Sequence, residues 1–151
     1  MSEESSTPAS TSPSGVMKNI VSGILNSLTL TAQGASTTDS FDPTSGPDGH
    51  GKVTCEITRF EQINPGLPDF FIHLSVIGQT FASEDTTKTV IRTMFADVMR
   101  SVLAFTPSSL TTATGVTVDG ILPISNAAIR EGENYFMFTV DFRIAVGNLT
   151  F

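Results

Sequence analysis

Apolar residues along this chain recur with two different periods. Val16, Met17, Ile20, Val21, Ile24, Leu25 and Leu28 follow the 3.6-residue spacing of a single helical stripe. Ser14 stands where an N-cap would, and Gly23 is a poor helix former inside the pattern. The spacing predicts a helix from Val16 to about Asn26–Leu28, followed by a short strand-like alternation from Leu28 to Ala32. Lys52 to Phe60 then alternates, with Val53, Cys55 and Ile57 on one face. Phe70, Ile72, Leu74 and Val76 share a face of the next strand, with Phe71, His73, Ser75 and Ile77 on the other. The turn Asn64-Pro65-Gly66-Leu67-Pro68 between these strands predicts an antiparallel hairpin.

Val90, Ile91, Met94, Phe95, Val98, Val102 and Leu103 form a second helical stripe. Ser83, Glu84 and Asp85 suit its N-terminus, where side-chain oxygens cap amides and carboxylates meet the positive dipole end. Thr106-Pro107 stops it, because the residue before proline is pushed out of helical geometry. After a Ser/Thr-rich loop, Val116 to Leu122 reads as a strand and residues 125–134 as a polar connection. Phe136, Phe138, Val140, Phe142, Ile144 and Val146 then place six apolar residues at successive even positions, the pattern of a long strand with one face on a core. Together these elements predict an α+β fold: a mostly antiparallel sheet of four to five strands with two amphipathic helices packed on one face. Residues 1–14, dominated by Ser, Thr and Pro, read as a disordered arm. Residues 15–151 read as one domain with a long Gly/Pro-rich loop at 33–51.

Composition narrows the functional classes. A chain of 151 residues buries about 70% of its unfolded surface and needs no metal or disulfide to hold a core. The net charge of −7 and the scatter of the eight basic residues argue against a broad nucleic-acid surface and specific nucleic-acid binding. Cys55 is the sole cysteine, so no intrachain disulfide forms. No basic-then-apolar leader opens the sequence, and no apolar run approaches the ~18 residues of a membrane span. Only 15% of residues are charged, which points to a surface that meets protein as much as water.

The candidate chemistry is thin. Asp39, Asp42, Asp48 and His50 share one loop, but their spacing is not that of a calcium-binding loop, and Asp beside Gly and Pro is ordinary turn chemistry. Cys55 and His73 fall on opposite faces of the predicted sheet, which rules out a thiolate–imidazole pair. Gly46 to Gly51 lacks the Lys and Ser/Thr of a phosphate-binding loop. The expectation is therefore a non-enzyme without catalytic residues, cofactor or metal. Interface anchors are expected at Phe60, Phe71, His73 and Ile77 on the outer sheet face, and at Tyr135 and Met137 opposite the core face of the last strand.

An N-terminal helix, a long loop, the strand Phe70-Phe71-Ile72-His73-Leu74-Ser75-Val76-Ile77-Gly78, an immediate helix over Thr86–Phe105 and a final long strand resemble the tail terminator (neck, or head–tail joining) proteins of tailed bacteriophages. The segments Val116–Leu122 and Glu133–Val146 resemble the end of such proteins, so the likeness spans roughly residues 16–147. It implies a structural virion protein assembled in the host cytoplasm: a homo-oligomeric ring, usually a hexamer, that caps the tail tube. Its partners would be the tail tube protein and the head–tail connector protein, with DNA passing through the ring. Another neck or tail-completion protein, or a non-viral interaction module, is the alternative.

Overall fold

The two periods in the sequence become two layers. The computed structural model describes residues 13–39 and 51–150. In chain order the elements are α1 (Pro13–Asn26), β1 (Ser36–Thr37), β2 (Lys52–Gln62), β3 (Phe70–Phe81), α2 (Thr89–Ala104), α3 (Pro107–Thr114), β4 (Thr117–Ile121), β5 (Asn126–Glu131) and β6 (Tyr135–Gly147). The fold is α+β, with three helices and a six-stranded mixed sheet curled into a half-barrel. The strand order is β1-β2-β3-β6-β4, and β5 lies beside β6 on the same edge as β4. All pairings are antiparallel except β1 with β2.

The centre of the sheet is the β3–β6 pair, in register from Phe70 opposite Val146 to Phe81 opposite Tyr135. Side chains alternate across a strand, so the even positions of both strands share one face. Ile72, Leu74, Val76, Phe138, Val140, Phe142, Ile144 and Val146 are all buried there. The helices cover this face. From α2, Phe95 meets Phe138 edge-on at 5.6 Å between ring centroids, and Ile91, Met94, Val98 and Val102 are buried. From α1, Val16, Ile20 and Ile24 are buried at a spacing of four. Two glycines permit close approaches. A β-carbon on Gly23 would lie 2.5 Å from the carbonyl oxygen of Ala113, so α1 can cross α3 only with glycine there. A β-carbon on Gly78 would fall 1.9 Å from the ring of Phe138, which fills that space.

Two buried aspartates tie the layers together. Asp85 accepts hydrogen bonds from the amides of Val90 and Ile91, both at 2.9 Å, and from the Thr80 hydroxyl at 3.1 Å. It thereby satisfies two orphan donors at the start of α2. Asp97 is fully buried and accepts from the Thr31 amide (2.6 Å), the Thr31 hydroxyl, the Ala32 amide and the Arg100 guanidinium. Burial pushes its pKa up, but the donors from Thr31, Arg100 and Ala32 outweigh that and hold the carboxyl below its ordinary value.

Several expectations are corrected. The sheet has six strands rather than four to five, and there are three helices rather than two. Helix α1 starts at Pro13, so Ser14 lies inside its first turn rather than capping it; of the arm expected over 1–14, residues 13 and 14 are helical and 1–12 lie outside the described residues, and proline suits the first turn because its missing N–H is an orphan there. Residues 28–32 form no strand; Asp97 takes the amides of Thr31 and Ala32 and the Ser101 hydroxyl oxygen that of Thr29 instead. The loop expected at 33–51 contains β1, paired in parallel with Lys52 and Val53. Its Asp42, Asp48 and His50 lie outside the described residues. Helix α2 begins at Thr89, four residues after Asp85, with Lys88 left-handed at φ 61°. Thr106-Pro107 ends one helix and starts another. Thr106 accepts from the Ser109 amide, Ser109 answers at the Thr106 amide, and Pro107 sits in the first turn of α3, so the expected Ser/Thr-rich loop is helical. The connection expected at 125–134 contains β5, edge-paired to β6. Leu103, expected in the core stripe, is 72% exposed because α2 turns it away from the sheet.

Candidate interaction surface

The odd positions of β3 and β6 face away from the buried core face and, apart from Ser75 and Gly147, are half-buried or exposed. Five of the six expected anchors lie at odd positions of β3 and β6 on this face. Phe71 lies between Glu61 of β2 and Ala145 of β6, and His73 between Arg59 and Arg143. Ile77 lies between Thr54 and Thr139, and Met137 pairs with Gln79 and Arg130. Tyr135 is at the far end of β6, opposite Phe81. All five are half-buried or exposed. Phe60 is a correction. The register of β2 shifts between Ile57 and Arg59, and this bulge places Phe60 opposite Ile72. It packs against the core, its ring 6.1 Å from that of Phe70 and edge-on, rather than joining the outer face.

A charged cluster occupies one end of the outward face. His73 Nε2 lies 2.9 Å from Glu61 Oε1 and 3.2 Å from Arg59 Nη2, and Arg59 is 3.3 Å from the same carboxylate. The hydrogen bond with His73 is the main reason that the Glu61 pKa falls below the ordinary carboxylate value, against a small desolvation effect, with Arg59 and Arg143 adding to it. Arg143 in turn stands over the Phe71 ring, 4.9 Å from its centroid, a cation–π contact. Next to this cluster is a groove of about 350 Å³ lined by His73, Ser75, Asn126, Arg130, Thr139 and Asp141 among others. Asn126 donates to Asp141 at 3.2 Å.

The arrangement suits polar and aromatic contact with another surface, and it assembles no nucleophile with a base. Cys55 is buried on the helix-covered face, where desolvation pushes its thiol up to about 12, with Glu56 adding to the shift. His73 is on the opposite face, two strand positions from Ser75. No group of three or more His, Cys, Asp or Glu side chains is placed to hold a metal among the described residues. The Asp39 carbonyl accepts from the Thr54 hydroxyl at 3.0 Å.

Two apolar surfaces escape sequence reasoning. One is a groove of about 360 Å³ between α1 and β2, lined by Met17, Val21, Cys55 and Ile57 with Lys18, Ser22 and Asp39. The other, about 330 Å³, is lined by Val102, Leu103, Phe105 and the segment Ile121-Leu122-Pro123-Ile124. The apolar pair Ile121-Leu122 before Pro123 was the available signal, but a run that short reads equally as a strand end. No helix among the described residues is long and apolar enough to cross a membrane. Compared with known proteins, the chain matches no protein-family model and no curated sequence.

Proposed function

We propose that this chain is a structural assembly protein of a tailed-phage particle, of the tail-terminator type, working as a ring of identical copies that caps the tail tube and meets the head connector. One observation carries the reading. The two longest strands of the fold bury one face almost completely and leave the other, with Phe71, His73, Ile77, Met137 and Tyr135, half-buried or exposed. A half-apolar sheet face rimmed by charged residues is the composition of a contact surface. The order of elements supports the family assignment: β3 passes through residues 82–88 straight into α2, which packs back across the sheet, and a long strand follows. In this reading the low charge of the chain serves close packing between copies rather than solubility. The test is light scattering over a concentration series, together with electron microscopy and protein content of purified particles. The expected result is a ring-shaped homo-oligomer and presence in the particle neck. A protein that stays monomeric and is absent from purified particles overturns the reading.

A further inference from the structure

Among the described residues the sheet ends in two open edges. Strand β5 pairs with β6 on one side, and among the described residues nothing pairs with its other side. Strand β2 is covered by β1 at Lys52 and Val53, but beyond Thr54 its outer edge has no strand partner among the described residues. Open edges carry rows of unpaired backbone donors and acceptors and template further pairing unless blocked.

Their directions fit one another. Across β2, β3, β6 and β5 each strand is antiparallel to the next. A second copy in the same orientation at the β5 edge therefore presents its β2 antiparallel to β5, the geometry that continues the sheet. Such a contact joins two different surfaces of the same chain, and heterologous contacts of this kind close into rings when the rotation between copies closes and run on as filaments when it does not.

Their side chains fit as well. On the helix-covered face of β5, Ile129 pairs with Phe138 yet remains 40% exposed. The corresponding face of the β2 edge opens into the apolar groove that Met17, Val21 and Ile57 line. On the outward face Arg130 of β5 and Glu56 of β2 are both exposed, and neither has an ion-pair partner among the described residues. One register satisfies both pairs. In an antiparallel ladder partners step in opposite directions, so setting Ile129 opposite Ile57 sets Arg130 opposite Glu56.

We propose that the β5 edge of one copy docks on the β2 edge of the next, with Ile129 entering the groove between α1 and β2 and Arg130 facing Glu56, so that copies join head to tail. This rests on the assembly reading above and supplies its contact. The test uses the full chain with charge reversals at the two positions. Arg130→Glu and Glu56→Arg should each lose the oligomer by light scattering and fail to enter particles, while keeping the thermal transition of the parent. The double variant should regain both, because each contact again brings opposite charges together. A chain carrying Arg130→Cys and Glu56→Cys should give an intermolecular ladder on a non-reducing denaturing gel, since cross-strand neighbours come within disulfide reach. Single variants that assemble like the parent, or a missing ladder, overturn the edge contact and leave the assembly reading standing. A parent chain that is monomeric and absent from particles overturns both.

Discussion

The two faces of the β3–β6 pair are built from the same strands, residue by residue in alternation, and they differ in almost every physical respect. On the covered face, even positions from Ile72 to Val76 and from Phe136 to Val146 are buried and apolar, with Gly78 leaving room for the Phe138 ring. On the uncovered face, aromatic, hydroxyl and charged side chains interleave, and their polar groups answer one another through His73, Glu61, Arg59 and Arg143. The first face is selected for filling space, since an interior tolerates neither voids nor unpaired charge. The second keeps charges paired but half-exposed, where such pairs add little stability and much specificity.

Four substitutions break or sharpen this contrast. Phe138→Asp puts an unpaired carboxylate at the centre of the covered face, where Phe138 is wholly buried. That costs several kcal/mol against a total of ~5–15 kcal/mol, so a loss of the cooperative thermal transition is expected. Asp97→Ala comes next. It strands the Thr31 and Ala32 amides and the Arg100 guanidinium, and a loss of ~3 kcal/mol in urea unfolding is expected. The pH dependence of this site has a definite sign. The folded Asp97 pKa is lowered, so its contribution is present above the unfolded carboxylate value near ~3.9 and fades as pH falls through the folded value. Asp97→Asn should therefore flatten the acid limb of the stability profile below about pH 4; an unchanged acid limb would contradict the assignment. Phe71→Ala, on the uncovered face, should cost the least. Only a cation–π contact with Arg143 and a half-buried ring are lost, so ~1 kcal/mol or less of stability is expected. Assembly should suffer more than stability if the outward face is a contact surface. A large drop in melting temperature for Phe71→Ala would mean that this face too is core.

The covered face was legible in the sequence because it follows fixed periods: six even positions in β6 and the stripe from Val90 to Val102 each named their own face. Cys55 and His73 were separable for the same reason. Phe60 was misplaced because a one-residue bulge between Ile57 and Arg59 inverts the faces that follow, and alternation alone carries no mark of it. The segment 28–32 was misread because a distant carboxylate decides it, whereas Asp85 caps the start of α2 as its sequence position suggested, with the helix beginning a few residues further on. Asp97 reaches Thr31 across 66 residues of sequence, and Asp85 caps amides five and six residues ahead. Strand β5 was missed because Ala127 and Ala128 bring no periodic apolar signal, and an edge strand needs its neighbour more than its own side chains.

What the sequence determined by itself is the choice of layers: which residues are apolar at period two, which at 3.6, and hence an α+β fold with one buried sheet face. These are local properties of neighbouring residues. The tertiary structure alone decided the strand order, the bulge, the partners of the two buried aspartates and, among the described residues, the two unpaired sheet edges facing opposite ways. Each of these depends on groups far apart in the chain meeting in space, and no local pattern encodes which distant group supplies the missing hydrogen bond or leaves an edge unpaired.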